Sequence, residues 1–205
     1  MKEAREDIGW QTAATAMAVF LMNILAAKTI CRFRWLAIDA GITVSWIPYA
    51  ASDIALWRRE NWKASYAGLV VAFLATLAAT VIIRMPGQWE PRLEPHAEAI
   101  GWLFGDTLTA TLATFAATAA GLAVNIAIQT AMRRLDKGFL AFAARAAVST
   151  LAAQTAENLA FAALFSIPVC GWTAGQATGA ALAGALAEQL VEAAALPIIY
   201  RMARR

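Results

Sequence analysis

Apolar residues in this chain run in blocks of about twenty, separated by short clusters of charged and turn-forming residues. They do not follow the two-residue alternation of half-buried strands. The blocks predict six helices, over 9–30, 36–57, 62–83, 104–132, 139–166 and 174–200. At 1.5 Å per residue, about twenty residues reach across a hydrocarbon core of about 30 Å, so each block is long enough to span a membrane. The breaks carry the expected signals, among them "WRREN", "MPGQWEPRLEP" and "PVCG". The third block, "YAGLVVAFLATLAATVII", has almost no polar group and is expected to face lipid. Small residues in "GQATG", at Gly184, and at Ala14 and Ala18 suit close helix packing, inside the bundle or against a partner.

Composition agrees with this pattern. Sixty per cent of the residues are hydrophobic and 15% charged, against roughly a quarter charged in an average soluble domain. The fold class expected is all-α, an integral membrane bundle of six transmembrane helices forming one domain over 1–205. The N-terminal "MKEAREDIGW" mixes both charge signs ahead of a run too long for a signal-peptide core, so no cleavage is expected. A net charge of +3 is too modest to suggest nucleic-acid binding, and its distribution speaks instead to orientation. Lys2, Arg5, Arg58, Arg59, Lys63, Arg133, Arg134, Lys137, Arg201, Arg204 and Arg205 fall on one side of the six spans. Lys28, Arg32, Arg34, Arg84 and Arg92 fall on the other. The positive-inside rule then predicts a multi-pass protein of the cell (inner) membrane with both termini cytoplasmic.

Polar residues inside the spans are the candidates for function, because an acid at mid-membrane costs about 2.5–3.5 kcal/mol and is kept only against a cavity or a partner. Gln154, Glu157 and Asn158 stand at i, i+3 and i+4 on one face of the fifth helix, with Phe161 above them. Glu188 and Glu192 repeat the device on the sixth. These acids suit a cationic or donor-rich ligand, or pair with Arg145 or Lys28 to fix helix register. Arg145 lies half a turn away from Gln154 and reads as a structural pair or a snorkelling side chain. Asp53 is expected to lock to Arg58 or Arg133. Asn23, Asn125 and Gln129 can bond between helices without charge. Several chemistries are absent: no phosphate-binding loop, no Gly-x-Ser-x-Gly elbow, and a lone histidine, His96, in a loop. Cys31 and Cys170 fall on the same side but lack metal-ligand spacing. No cofactor is implied, and an enzyme is not expected.

Four segments in order, "MNILAAK", "GITVSWIPYAASD", "RAAVSTLAAQTAENLAF" and "GALAEQLVEAAALPIIYR", resemble the vitamin uptake transporter family, which includes queuosine-precursor importers. The resemblance covers nearly the whole chain. It implies a fold similar to the substrate-binding subunits of energy-coupling-factor transporters, and import of a 7-deazaguanine base such as preQ0, preQ1 or queuine. Carried over by position, it implies a substrate site at Asn23, Trp89 (with Gly87), Gln154, Glu157, Asn158, Glu188 and Glu192. To these the chemistry of a flat, donor-rich base adds Tyr49 and Phe161 as stacking surfaces. Asn125 joins the set as the residue where helix four of the family often has an acid. Glu157 stands in place of the family's aspartate, and Leu122 in place of a helix-four glutamine. The implied partners are the small-molecule substrate, the lipid bilayer and, unless the protein works alone, an energy-coupling ATPase module. Another vitamin-like ligand, or a structural membrane protein with paired acids, are the alternatives.

Overall fold

Hydrocarbon offers a peptide group no hydrogen-bond partner, so a chain this apolar has to satisfy its backbone within helices. The computed structural model describes residues 3–25, 29–33, 36–58, 62–85, 108–135 and 137–204. Its helices are α1 (Glu3–Leu25), α2 (Ile42–Ser45), α3 (Ile47–Trp57), α4 (Lys63–Arg84), α5 (Leu108–Ala131), α6 (Gly138–Phe161) and α7 (Ala174–Ala203). α2 and α3 are two pieces of one broken helix, so the architecture is the predicted six-helix membrane bundle. Four segments, Lys63–Ile83, Thr109–Ala131, Gly138–Ser166 and Ala174–Ala203, are long and apolar enough to cross a membrane, and α1 adds the shorter apolar stretch Gly9–Leu25.

The first two predicted helices differ from the structure where they approach each other. α1 stops at Leu25 instead of 30, and α2 begins at Ile42 instead of 36. Between them β1 (Thr29–Phe33) and β2 (Leu36–Asp39) form an antiparallel hairpin, with Arg32 opposite Ala37 and Phe33 opposite Leu36. "TICRF" is rich in β-branched and aromatic residues, which fit a paired strand better than a helix interior. The break between α2 and α3 has a different cause. Pro48 has no N–H to return to the Val44 carbonyl, so the helix restarts around Trp46, whose indole N–H donates to the Thr43 carbonyl at 2.9 Å. The loop bearing Gly87, Trp89 and His96 lies outside the described residues.

α3 is the axis of the bundle. Every residue from Pro48 to Leu56 is buried, and the helix packs on α1, α5, α6 and α7. α4 lies outside it. Val70, Leu74, Val81 and Ile82 are exposed, the surface a lipid-facing helix should present. Thr76 and Thr80, on its buried side, return their hydroxyls to the carbonyls of Ala72 and Thr76, each at 2.9 Å, so neither leaves a bare donor in the interior. α4 meets α1 at Gly68, where a Cβ would stand 2.6 Å from both the Thr12 carbonyl oxygen and the Thr15 Cβ. Ala18 is buried as well. Ala18 therefore serves packing inside the bundle.

At one end of the bundle gather Arg58, Arg133, Arg134, Lys137, Arg201 and Arg204, following the ends of α3, α5 and α7 and the start of α6. Arg58 donates to the Met202 carbonyl there. Arg145 is buried one layer further in. Its Nε donates to Gln129 Oε1 at 2.9 Å, and its Nη atoms reach the carbonyls of Gln129 at 3.2 Å and Leu135 at 3.4 Å. The guanidinium lies 5.1 Å from the centre of the Trp57 ring, itself edge-on to Phe142. A structural role was expected of Arg145, but the snorkelling alternative does not hold. The side chain turns inward and clamps the last turn of α5, whose carbonyls carry the negative end of the helix dipole.

Two consequences are measurable by thermal unfolding in detergent. Gly68→Leu should force α1 from α4 and cost about 1–3 kcal/mol, whereas Gly175→Ala, with open space around its Cα, should change little. Arg145→Lys keeps the charge but not the fork, and should cost about 1.5–3 kcal/mol through lost charge-assisted bonds.

Candidate functional site

Away from the basic end, α1, α2, α5, α6 and α7 leave a cavity of about 240 Å³ between them. That is just below the usual range for sites holding drug-sized molecules, so it suits a compact ligand. Its wall includes Asn23 from α1, Ser45 from α2, Thr114 from α5, Glu157, Asn158 and Phe161 from α6, and Gly184 and Glu188 from α7. Trp172 stands at its edge, and the local chain explains why. α6 widens into a π-helical turn at Ala162–Ser166, in which the Ile167 N–H donates to the Ala162 carbonyl at 2.9 Å. Pro168 cannot extend the ladder. Gly171 then takes φ +70°, open to glycine without strain, and the Trp172 N–H returns to the Ser166 carbonyl at 3.2 Å. Thr173 starts α7 at once through a capping box: its hydroxyl accepts from the Gln176 N–H at 3.3 Å, and Gln176 Oε1 accepts from the Thr173 N–H at 3.0 Å.

Glu157 is the most constrained group on the wall. The Tyr49 hydroxyl of α3 donates to its Oε2, and the Thr118 hydroxyl of α5 donates to its Oε1. Tyr49 is fully buried. Gly121 makes this approach feasible, since a Cβ there would collide with the Tyr49 hydroxyl and come within 3.1 Å of the Glu157 Cβ. An ionised carboxylate has about four acceptor positions. Two donors from behind fix its orientation and leave acceptor capacity toward the cavity. Beside it, Asn158 Nδ2 donates to the Ala181 carbonyl at 3.3 Å. Gly184 faces the same amide group, where a Cβ would be 3.1 Å from Nδ2.

Five of the residues expected at the site, Asn23, Glu157, Asn158, Phe161 and Glu188, line this cavity. Tyr49 stands behind the wall and reaches it only through Glu157. Three others lie in the interior, off the cavity wall. Gln154 is fully buried, with neither amide atom bonded. Asn125 donates to Asp53 Oδ1 at 2.8 Å, and Glu192 Oε1 accepts from Thr150 at 3.1 Å. Asp53 thus meets Asn125, where Arg58 or Arg133 was expected. Trp89 lies outside the described residues. Thr118, Gly121 and Trp172 were not anticipated. Trp172 had a signal, an aromatic directly after a turn glycine in "CGWTAG". Thr118 had none, because a threonine in an apolar helix usually bonds its own backbone.

The arrangement can hold a small molecule by its N–H groups against a fixed carboxylate, with amides and aromatic rings around it. Among the described residues no three His, Cys, Asp or Glu side chains come together as a metal site would require. The family model described as "putative vitamin uptake transporter" matches residues 39–202. No curated protein and no solved structure matches the chain. Taken with the helical membrane bundle and its vitamin-sized cavity, a match over this much of the length means that the chain belongs to the vitamin uptake transporter family.

Proposed function

We propose that this transporter imports a queuosine precursor, a 7-deazaguanine base of the preQ0, preQ1 or queuine type. The observation that carries the reading is the Glu157 carboxylate, braced by Tyr49 and Thr118 and lining the cavity. A deazaguanine presents a ring N–H and an exocyclic NH2 side by side, and one carboxylate accepts both. Asn158 and Asn23 meet its carbonyl and pyrrole N–H, and Phe161 and Trp172 supply flat surfaces at the ring faces. Glu188 takes the ammonium that distinguishes preQ1 from preQ0. The termini are cytoplasmic by the distribution of basic residues, so the cavity, at the opposite end, receives its ligand from outside.

Titration calorimetry of the purified protein with preQ1, preQ0, queuine and guanine tests the assignment. Saturable binding of a deazaguanine is expected, weakened at least a hundredfold in Glu157→Gln, because a ligand donor is then left facing an amide that is itself a donor. Folded protein that binds none of the four would overturn the reading. Glu188→Gln should weaken preQ1 by about tenfold or more while leaving preQ0 nearly unchanged, since only preQ1 brings a positive charge; equal losses for both would remove Glu188 from that role.

A further inference from the structure

Toward the basic end, α3, α5, α6 and α7 enclose a second polar cluster, none of whose residues lines the cavity. Asp53, Asn125, Thr150 and Glu192 are all at most 1% exposed. Asn125 Nδ2 donates to Asp53 Oδ1 at 2.8 Å, and the Thr150 hydroxyl donates to Glu192 Oε1 at 3.1 Å. Gln129 and Thr150 also adjoin Asp53 as donors, and the two carboxyl groups lie near enough to interact electrostatically. What remains is richer in acceptors than in donors, the Gln154 Nε2 being the unmet donor among the cluster's own amides and carboxyls. Asp53 Oδ2, Asn125 Oδ1 and Glu192 Oε2 are buried without a hydrogen-bond donor, and all three are acceptors. Gln154, one turn along α6 from Thr150 and on the same face, is also fully buried, with neither amide atom bonded.

Charge is one-sided too. Arg145 acts on Asp53 from α6, so with both carboxyl groups ionised two negative charges face one guanidinium and one is left uncompensated in this cluster. A proton would cancel that charge but serve only one acceptor or one pair, with the Asn125 oxygen still unmet. A monovalent cation cancels it and draws in several oxygens at once. A divalent ion would overshoot, and an all-oxygen set does not select a soft metal.

We propose that Asp53 Oδ2, Glu192 Oε2, Asn125 Oδ1 and the Gln154 amide oxygen form a binding site for a monovalent cation, sodium. In role the site rests on the transporter reading. Gln154 and Glu157 are neighbours on one face of α6, so a cation drawing α3, α5 and α7 onto that face sets the wall of the cavity above, and sodium moving down its gradient supplies the work of uptake.

The test uses the purified full-length protein without any organic ligand, unfolding it thermally while sodium replaces potassium at constant ionic strength. A saturable rise is expected, roughly 3–5 °C at ten times the half-saturating concentration. Asp53→Asn and Glu192→Gln should flatten the response, and Gly175→Ala, with open space where its Cβ would stand, should keep it. If either variant fails to fold, binding of radioactive sodium to the wild-type protein, uncompeted by potassium, gives the same answer. Identical curves in sodium and potassium, a response that survives both cluster substitutions, or stabilisation by acid alone to which sodium adds nothing would each overturn the proposal. A sodium response without deazaguanine binding would sink the substrate assignment and leave this site standing; deazaguanine binding without the sodium response would do the reverse.

Discussion

A carboxyl group inside a bilayer has to be met by donors from neighbouring helices, and in this protein that requirement organises the interior. Glu157 is met by α3 and α5 through Tyr49 and Thr118, Asp53 by α5 through Asn125, and Glu192 by α6 through Thr150. Each contact joins two helices that apolar packing alone would let slide, since lipid tails are as apolar as the side chains they would replace. α6 takes part in three of these four contacts and α3 in two, and α3, the longer part of a broken helix, is buried from Pro48 to Leu56.

The helical count and the membrane class were legible because both depend on block length and composition, which small errors at helix ends do not erase. The hairpin at Thr29–Asp39 was not, because its strands sit in an apolar stretch whose length alone fits two longer helices. The break at Pro48 was not read from the sequence, where 36–57 stands as one helix, because a proline costs only a local bond inside an otherwise apolar run. At the site, the acids and amides of α6 and α7 were identifiable as residues out of place in hydrocarbon. Which of them reach the cavity was not, since Glu188 and Glu192 are one turn apart and share a face, while only the former lines the wall. Depth along a helix decides that, and depth depends on where neighbouring helices end.

The interior therefore has two levels with different balances of donors and acceptors. At the cavity, Glu157 is well supplied with protein donors and has capacity left for a ligand. In the deeper cluster, acceptors exceed donors, and Arg145 directs bonds at the end of α5. The aromatic residues Trp57, Phe142 and Tyr200 pack together toward the basic end, and Trp172 lines the cavity at the other.

The turn between α6 and α7 has a consequence for how such a chain can vary. From the π-helical turn at Ala162 to the capping box at Thr173, successive positions supply an offset carbonyl, a proline stop, a left-handed glycine, an indole at the cavity edge and a cap. Loops commonly tolerate insertions and deletions, but a single residue added or removed between Ser166 and Trp172 would break the bond from the Trp172 N–H to the Ser166 carbonyl and shift the indole from the cavity, while the local capping box of Thr173 and Gln176 would survive. In this segment length is constrained more tightly than residue identity, and the connector belongs to the binding site as much as the helices it joins.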